Sequence, residues 1–291
     1  MKLTNKRNLP ETIVNVLKRP QYSKGKANLS VTELINSPRI VQLKRLHWDQ
    51  LQEDAASMVW SLFGSAVHNI LQHGKDEHHI VEQRLFADIE GWTISGAIDL
   101  QIVEEDGVVI ADYKVTSSWA VMNEKAEWVE QLNSYAWLVE KCKRMNVKKL
   151  QIIAIIRDWK DRETKNPDYP QAPIVTVDIP LWDFETRTQF LKDRVYAHSE
   201  AYLDAELDSP LPPCTPEQMW ERPTTYALFK EGGKRAKKVF TLKEEADEAL
   251  TDGHYIETRQ GTRVRCESFC PVSGLCDQYQ EWKNANAQTV E

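Results

Sequence analysis

No stretch of this chain approaches the roughly 18 consecutive apolar residues of a membrane-spanning helix. Its opening, MKLTNKRNLPETIV, lacks the apolar block of a secretory signal, so a cytoplasmic protein with no membrane partner is expected. Positive charge is not in excess: 37 Lys and Arg against 44 Asp and Glu leave a net charge of -7. That balance argues against a surface coated for duplex DNA, while leaving room for a local basic groove. There is no internal repeat and no low-complexity segment. Cysteine is scarce, with five in 291 residues, and a reducing cytosol does not favour a disulfide framework. What is left is a globular chain whose 41% hydrophobic content can build one large domain or two ordinary ones.

Two basic runs stand out, the pair at 18 and 19 and KRAKK at 234 to 238, and each also suits a solvated face. Ten tryptophans are many for this length; most are expected in the core, and some are available for stacking on nucleobases. Residues 1–55, broken by Pro10, Pro20 and Pro38, read as a helical lead-in. From residue 57, Val59, Leu62, Phe63, Val67, Ile70 and Leu71 recur at helical spacing and predict one buried helix that carries His68 and ends at Gly74. Strands follow at about 79–88, 92–103 and 107–116, then a helix at 124–145, an apolar run at 150–159, the strand IVTVDI and an amphipathic helix at 182–204. DSPLPPCTP, with four prolines, marks a boundary. The organisation expected is therefore a lead-in over 1–55, an α/β core over 56–205 and a small lobe over 206–291.

The stretch GAIDLQIVEEDGVVIADYKVT, residues 96–116, places charged groups on two apolar strands. On the first, Trp92, Ile94, Ile98, Leu100 and Ile102 share one parity and Asp99 takes the other, beside Ala97. On the second, Asp112 and Lys114 point to the same face. A turn formed by Glu104 to Gly107 would set Asp99 opposite Asp112, and two carboxylates about 5 Å apart repel unless a cation lies between them. Oxygen ligands of this kind suit magnesium or manganese, with Lys114 near enough to steady a nucleophile or a developing oxyanion. An ordinary amphipathic hairpin with a surface salt bridge accounts for the same residues.

Gly96, Asp99, Asp112, Lys114 and Thr116 form the pattern G-x-x-D, a dozen residues, then D-Y-K-x-T, and Gln131 and Tyr135 follow as Q-x-x-x-Y on a helix. With His68 in GSAVH upstream, this resembles the PD-(D/E)XK nuclease superfamily, in particular its RecB-like branch, over about residues 60–160. The resemblance implies a restriction-endonuclease-like core of helix, three-stranded antiparallel meander, helix and strand. It also implies that His68, Asp99, Asp112 and the Tyr113 carbonyl bind Mg2+ or Mn2+, that Asp99, Asp112 and Lys114 are catalytic, and that Glu82 is a candidate support. Gln131 and Tyr135, one helical turn apart on one face, would reach a DNA strand or brace the lysine. His73, His78 and His79 lack ligand spacing and read as surface residues.

Four of the five cysteines fall late in the chain: Cys214, then Cys266, Cys270 and Cys276 as C-x3-C-x5-C, while Cys142 stands apart. Four thiolates can hold zinc or an iron-sulfur cluster. The arrangement looks like that of RecB-like members, of phage or bacterial type, whose nuclease domain carries a 4Fe-4S cluster. It departs from them in the first spacing and in a remote cysteine that follows the core, so Zn2+ stays as the alternative. The resemblance implies an exonuclease acting on single-stranded or free DNA ends in recombination or end processing, with a helicase or single-strand annealing protein as partner. A nucleic-acid-binding or assembly module that keeps the fold and cluster without cleaving is the competing reading.

Overall fold

The computed structural model describes residues 1–18, 23–123 and 125–287. Arg19 and Pro20, from the first basic pair and the second proline break, and Glu124, where the central helix was expected to begin, lie outside them. The chain divides into two compact units: Met1–Pro38 with Gln52–Ser209, and Arg39–Leu51 with Pro210–Glu291. Residues 1–55 are thus shared between the units, and they are not only helical. Along them run β1 (Lys2–Thr4), α1 (Glu11–Leu17), β2 (Leu29–Ser30), α2 (Val31–Leu34), α3 (Pro38–Leu46) and β3 (Gln52–Asp54), with β1 and β3 paired in parallel.

The first unit is built on a six-stranded sheet. After α4 (Val59–Leu71) come β4 (His79–Ile89), β5 (Trp92–Glu104), β6 (Gly107–Thr116), α5 (Ser118–Met122), α6 (Ala126–Lys143), β7 (Val147–Ile156), β8 (Ile174–Ile179) and α7 (Phe184–Glu206). The strand path is β2-β5-β6-β7-β8, with β4 also paired to β5; β4, β5 and β6 form an antiparallel meander, and β7 runs parallel to β6. The meander follows from its turns. Glu90 and Gly91 both have positive φ, the backbone of a two-residue hairpin turn whose twist matches the strands it joins. The next hairpin closes at Glu104 opposite Gly107, as the sequence predicts.

Ile94, Ile98 and Leu100 are buried, as alternation predicts, and the opposite face of β5 is closed as well, with Ser95, Asp99 and Gln101 buried. Residues 131–139 of α6 are all buried, so this helix has no solvated stripe through its middle. Helix α4 departs from expectation. None of its residues is fully buried, and Phe63 and Ile70 are 45% and 69% exposed. Its inner side rests on β6 while Ser61, Gly64, Ser65 and His68 line an open cleft, so its apolar period marks a half-covered helix. The tryptophans also differ from expectation: of the ten, Trp137 alone is buried.

In the second unit the chain runs through α8 (Pro216–Met219), β9 (Glu221–Arg222), β10 (Thr225–Lys230), β11 (Lys238–Phe240), α9 (Lys243–Glu248), β12 (His254–Arg259), β13 (Thr262–Arg263), α10 (Val264–Ser268) and α11 (Asp277–Ala287). Strands β11, β10 and β12 make an antiparallel sheet whose Leu228 and Phe240 pack on Ala246 of α9. The basic run sits in the β10–β11 hairpin, where Lys234, Arg235, Lys237 and Lys238 are exposed. Among the described residues no helix is long and apolar enough to cross a membrane.

Candidate active site

Strands β5 and β6 pair from Glu104↔Gly107 to Leu100↔Ala111, and the same register brings Asp99 opposite Asp112. At that level the ladder ends and the strands fork. The Tyr113 N–H, past the end of the ladder with β5, donates to Asp99 Oδ2 at 2.9 Å. On the other side of β5, Glu82 lies between the pairs Val81↔Leu100 and Gln83↔Ile98, so it too sits opposite Asp99. Its φ of 50° is left-handed, a backbone that a glutamate adopts at a cost and that recurs at functional sites.

His68 of α4 reaches this point. Its Nδ1 lies 3.8 Å from Glu82 Oε1 and 3.5 Å from Asp99 Oδ2, and its Nε2 lies 2.9 Å from the Tyr113 carbonyl oxygen. An Nε2–H donated to that carbonyl leaves Nδ1 facing the two carboxylates. Hydrogen bonding to Glu82, against the opposing effect of burial and with help from Asp99, raises the His68 pKa to about 9. Burial first, then repulsion from Asp112, raises Asp99 to about 7.

Asp112 is buried beside Lys114, whose Nζ stands 2.6 Å from Oδ2. At that distance ammonium and carboxylate form a close ion pair. Burial works against the Lys114 charge, but Asp112 and then Asp99 outweigh it and hold the pKa above the ordinary lysine value. Lys114 also donates to Gln131 Oε1 at 3.1 Å, while Gln131 Nε2 donates to Asp112 Oδ1 at 3.3 Å and to the Tyr135 hydroxyl at 2.9 Å. Gln131 and Tyr135 are both buried, so the spacing Q-x-x-x-Y here builds a brace for the acid and the lysine. Gly96 lets α6 come this close, because a Cβ there would meet Leu138 Cδ1 at 2.7 Å and Tyr135 Cδ1 at 2.9 Å.

These groups open into a cleft of about 770 Å3. One charged lining residue escaped the sequence reading: Arg84, two residues after Glu82 on β4, paired with Ala97 and donating to Ser95 Oγ at 3.2 Å. Its signal was the E-x-R spacing, which puts both side chains on one face of a strand.

The donor set fits a divalent cation. One ligand atom each from His68, Glu82 and Asp99 lie within 4.8 Å of one another. Asp99, raised by burial and by repulsion from Asp112, marks crowded buried negative charge that a hard cation would relieve. Glu82, only a candidate support by sequence, joins the closest group, whereas Asp112 is engaged by Lys114 and the Tyr113 carbonyl by His68.

In the second unit, Cys214, Cys266, Cys270 and Cys276 line one narrow cavity. Burial, then repulsion from Cys270, Cys214 and Cys276, pushes the Cys266 thiol up to about 11, and burial raises Cys270 too. Among the described residues no three of these sulfurs lie within 4.8 Å of one another. A preformed zinc cage, with Zn–S near 2.3 Å, would bring its sulfurs to roughly 3.8 Å.

Arg39, which sequence reasoning missed, is a buried guanidinium in this unit. Its Nε donates to Cys276 Sγ at 3.4 Å and its Nη1 to the Leu211 carbonyl at 2.6 Å, and Nη2 pairs with Asp277. Gln278 holds Cys214 from the other side, accepting from its N–H and donating to its carbonyl, both at 2.9 Å. No motif links residue 39 to a cysteine 237 positions later.

Comparison with known proteins follows the same line. The sequence profile of the PD-(D/E)XK nuclease superfamily matches residues 48–277, more than half of the chain. No curated protein matches. Among solved structures, SSO0001 is 18% identical, with 64% of this chain and 82% of that chain covered and a TM-score of 0.42. A putative exonuclease from Eubacterium rectale is 13% identical over 50% of this chain and 55% of that one, at a TM-score of 0.30. The alkaline exonuclease LHK-Exo from Laribacter hongkongensis is 12% identical over 62% and 94%, at 0.33. All three TM-scores lie below 0.5, so the family assignment comes from the profile match.

Proposed function

Because this chain belongs to the PD-(D/E)XK nuclease superfamily, we propose that it is a Mg2+- or Mn2+-dependent deoxyribonuclease, an exonuclease acting on single-stranded or free DNA ends. The observation that carries this reading is the fork of Asp99 and Asp112 with Lys114 Nζ 2.6 Å from Asp112. His68, Asp99, Asp112 and the Tyr113 carbonyl, with Glu82 in support, would hold the cation, which would supply Lewis-acid activation of water and neutralise charge on the phosphate. Lys114 offers its ammonium to the nucleophile or to the developing oxyanion, and the charge it needs is kept by its acidic neighbours. Gln131 fixes the angle between Lys114 and Asp112, Tyr135 fixes Gln131, and Arg84, on the same strand face as Glu82, offers a second cation to the phosphate.

The second unit holds a 4Fe-4S cluster in this reading, with Zn2+ as the alternative. The four cysteines lining one cavity support a group held by four thiolates, which either the cluster or zinc satisfies. The setting is cytoplasmic DNA recombination or end processing, with a helicase or single-strand annealing protein as partner.

The test is anaerobically purified protein incubated with labelled DNA and manganese. Cleavage that disappears in Asp112→Asn supports the nuclease; no cleavage at any enzyme ratio favours the non-cleaving binding module. Iron and zinc analysis of the same preparation decides the group in the second unit.

A further inference from the structure

Two tryptophans of the first unit have no part in its core. Trp60 and Trp119 are 56% and 60% exposed, although indoles in a stable fold ordinarily find cover. Each carries a cation over its ring: the Arg157 guanidinium stands 4.4 Å from the Trp60 centroid, and Lys125 Nζ 4.4 Å from that of Trp119.

Their positions tie them to the cleft. Trp60 sits in the first turn of α4, one residue before Ser61, where the cleft-lining side of that helix begins. Arg157 directly follows β7, and its N–H donates to the Thr116 carbonyl at 2.9 Å. Thr116 is two residues past Lys114, and Trp119 lies three further on, in α5, whose first residue Ser118 is bonded to Asp158 at 2.7 Å. Lys114 pairs with Ala154, so at about 3.3 Å per strand residue Arg157 lies roughly 10 Å along the sheet from the lysine. That is a span of one or two nucleotides.

We propose that Trp60 and Trp119, with Arg157 and Lys125, form a base-stacking subsite that holds the unpaired DNA strand as it enters or leaves the cleft. A cation on one face of an indole leaves the other face for a base and adds an attraction for the adjoining phosphate. Duplex DNA buries its base faces in its own stack, so the subsite selects single strands. The subsite rests on the nuclease reading for its location, but its binding is measurable without cleavage.

The experiment is titration of the full-length protein, in calcium with no magnesium or manganese, with oligo(dT) and with a blunt duplex. Affinity is read by anisotropy and stacking by quenching of tryptophan fluorescence. Trp60→Leu and Trp119→Leu should each weaken oligo(dT) binding by about 5- to 100-fold, with less effect on the duplex. Trp60→Phe and Trp119→Phe should recover much of the loss, because a phenyl ring still stacks.

Oligo(dT) affinity unchanged in the Leu variants would overturn the subsite, as would equal losses for Leu and Phe or equal losses for both DNAs. Should a Leu variant fail to fold, the wild type still decides: saturation with oligo(dT) and no quenching overturns the proposal. A protein that binds and quenches yet cuts nothing loses the nuclease reading and keeps the subsite.

Discussion

The acidic fork and the cysteine cavity place costly groups in two different ways. In the fork, position comes from the backbone: a two-residue turn, an unbroken register and a left-handed Glu82 set four side chains before any of them makes a contact. In the cavity, short helices and a proline-rich stretch bring the thiols together, and side-chain hydrogen bonds from Arg39 and Gln278 hold them. A site of the first kind is preorganised whether or not a cation is bound. A site of the second kind draws part of its stability from what it holds.

The largest test of that contrast is Asp112→Asn, which should lower kcat/KM for DNA by about 10^3-fold, as removal of a charge aligned with the transition state does elsewhere. The variant should also unfold earlier, because Lys114 loses its nearest counter-charge, so activity is compared well below its unfolding transition; an unchanged kcat/KM there would show that the fork does not carry the chemistry. Arg39→Gln comes next. It leaves the Cys276 sulfur and the Leu211 carbonyl without their buried donor, a change worth about 3 kcal/mol for the two together. It should lower the iron or zinc retained per chain and the unfolding transition of the second unit; unchanged metal content would mean that the thiols position themselves.

His198 sharpens the comparison from the side of the first unit. It is fully buried, and burial lowers its pKa from 6.5 to about 4, against a hydrogen bond to the Leu34 carbonyl. With the folded pKa below the unfolded one, the unfolded chain takes up the extra proton, so stability is complete above pH 6.5 and falls as pH drops toward 4. The loss amounts to about 3 kcal/mol. Denaturant unfolding of the wild type against His198→Gln across this window should show the difference, and parallel pH curves would refute it. The smallest effect is expected for Gly96→Ala, where the new Cβ forces α6 outward at a cost of about 1 to 3 kcal/mol. The same shift displaces Gln131, so activity should fall more than the stability loss alone would give, as a fixed-temperature assay of the folded variant would record.

The parts of the fold legible in the sequence were local. Period-two alternation and a tight turn are enough to bring Asp99 opposite Asp112, and the spacing of Gln131 and Tyr135 is enough to put them on one helix face. What those residues touch was not legible: the Gln131 side chain lies between Lys114 and Asp112 because of how α6 docks, which depends on a missing Cβ at Gly96. The exposure of α4 is not legible in its apolar period for a related reason. An apolar period shows which face meets protein but not how much protein is there. Arg39 and Glu82 mark a firmer limit, since a partner 237 residues away and a reversed φ leave no periodic trace.

Residues 39–51 leave the first unit, contribute Arg39 to the second, and return. The cysteine-bearing unit is therefore discontinuous along the chain, and a fragment cut at residue 210 discards the guanidinium that binds Cys276 and the Leu211 carbonyl. During synthesis the same fact orders events: Arg39 emerges early, its carbonyl partner Leu211 follows 172 residues later, and Cys276 and Asp277 come last. Splicing this unit into another protein would require two insertions, one of thirteen residues and one of the C-terminal stretch, since Arg39–Leu51 and Pro210–Glu291 belong together.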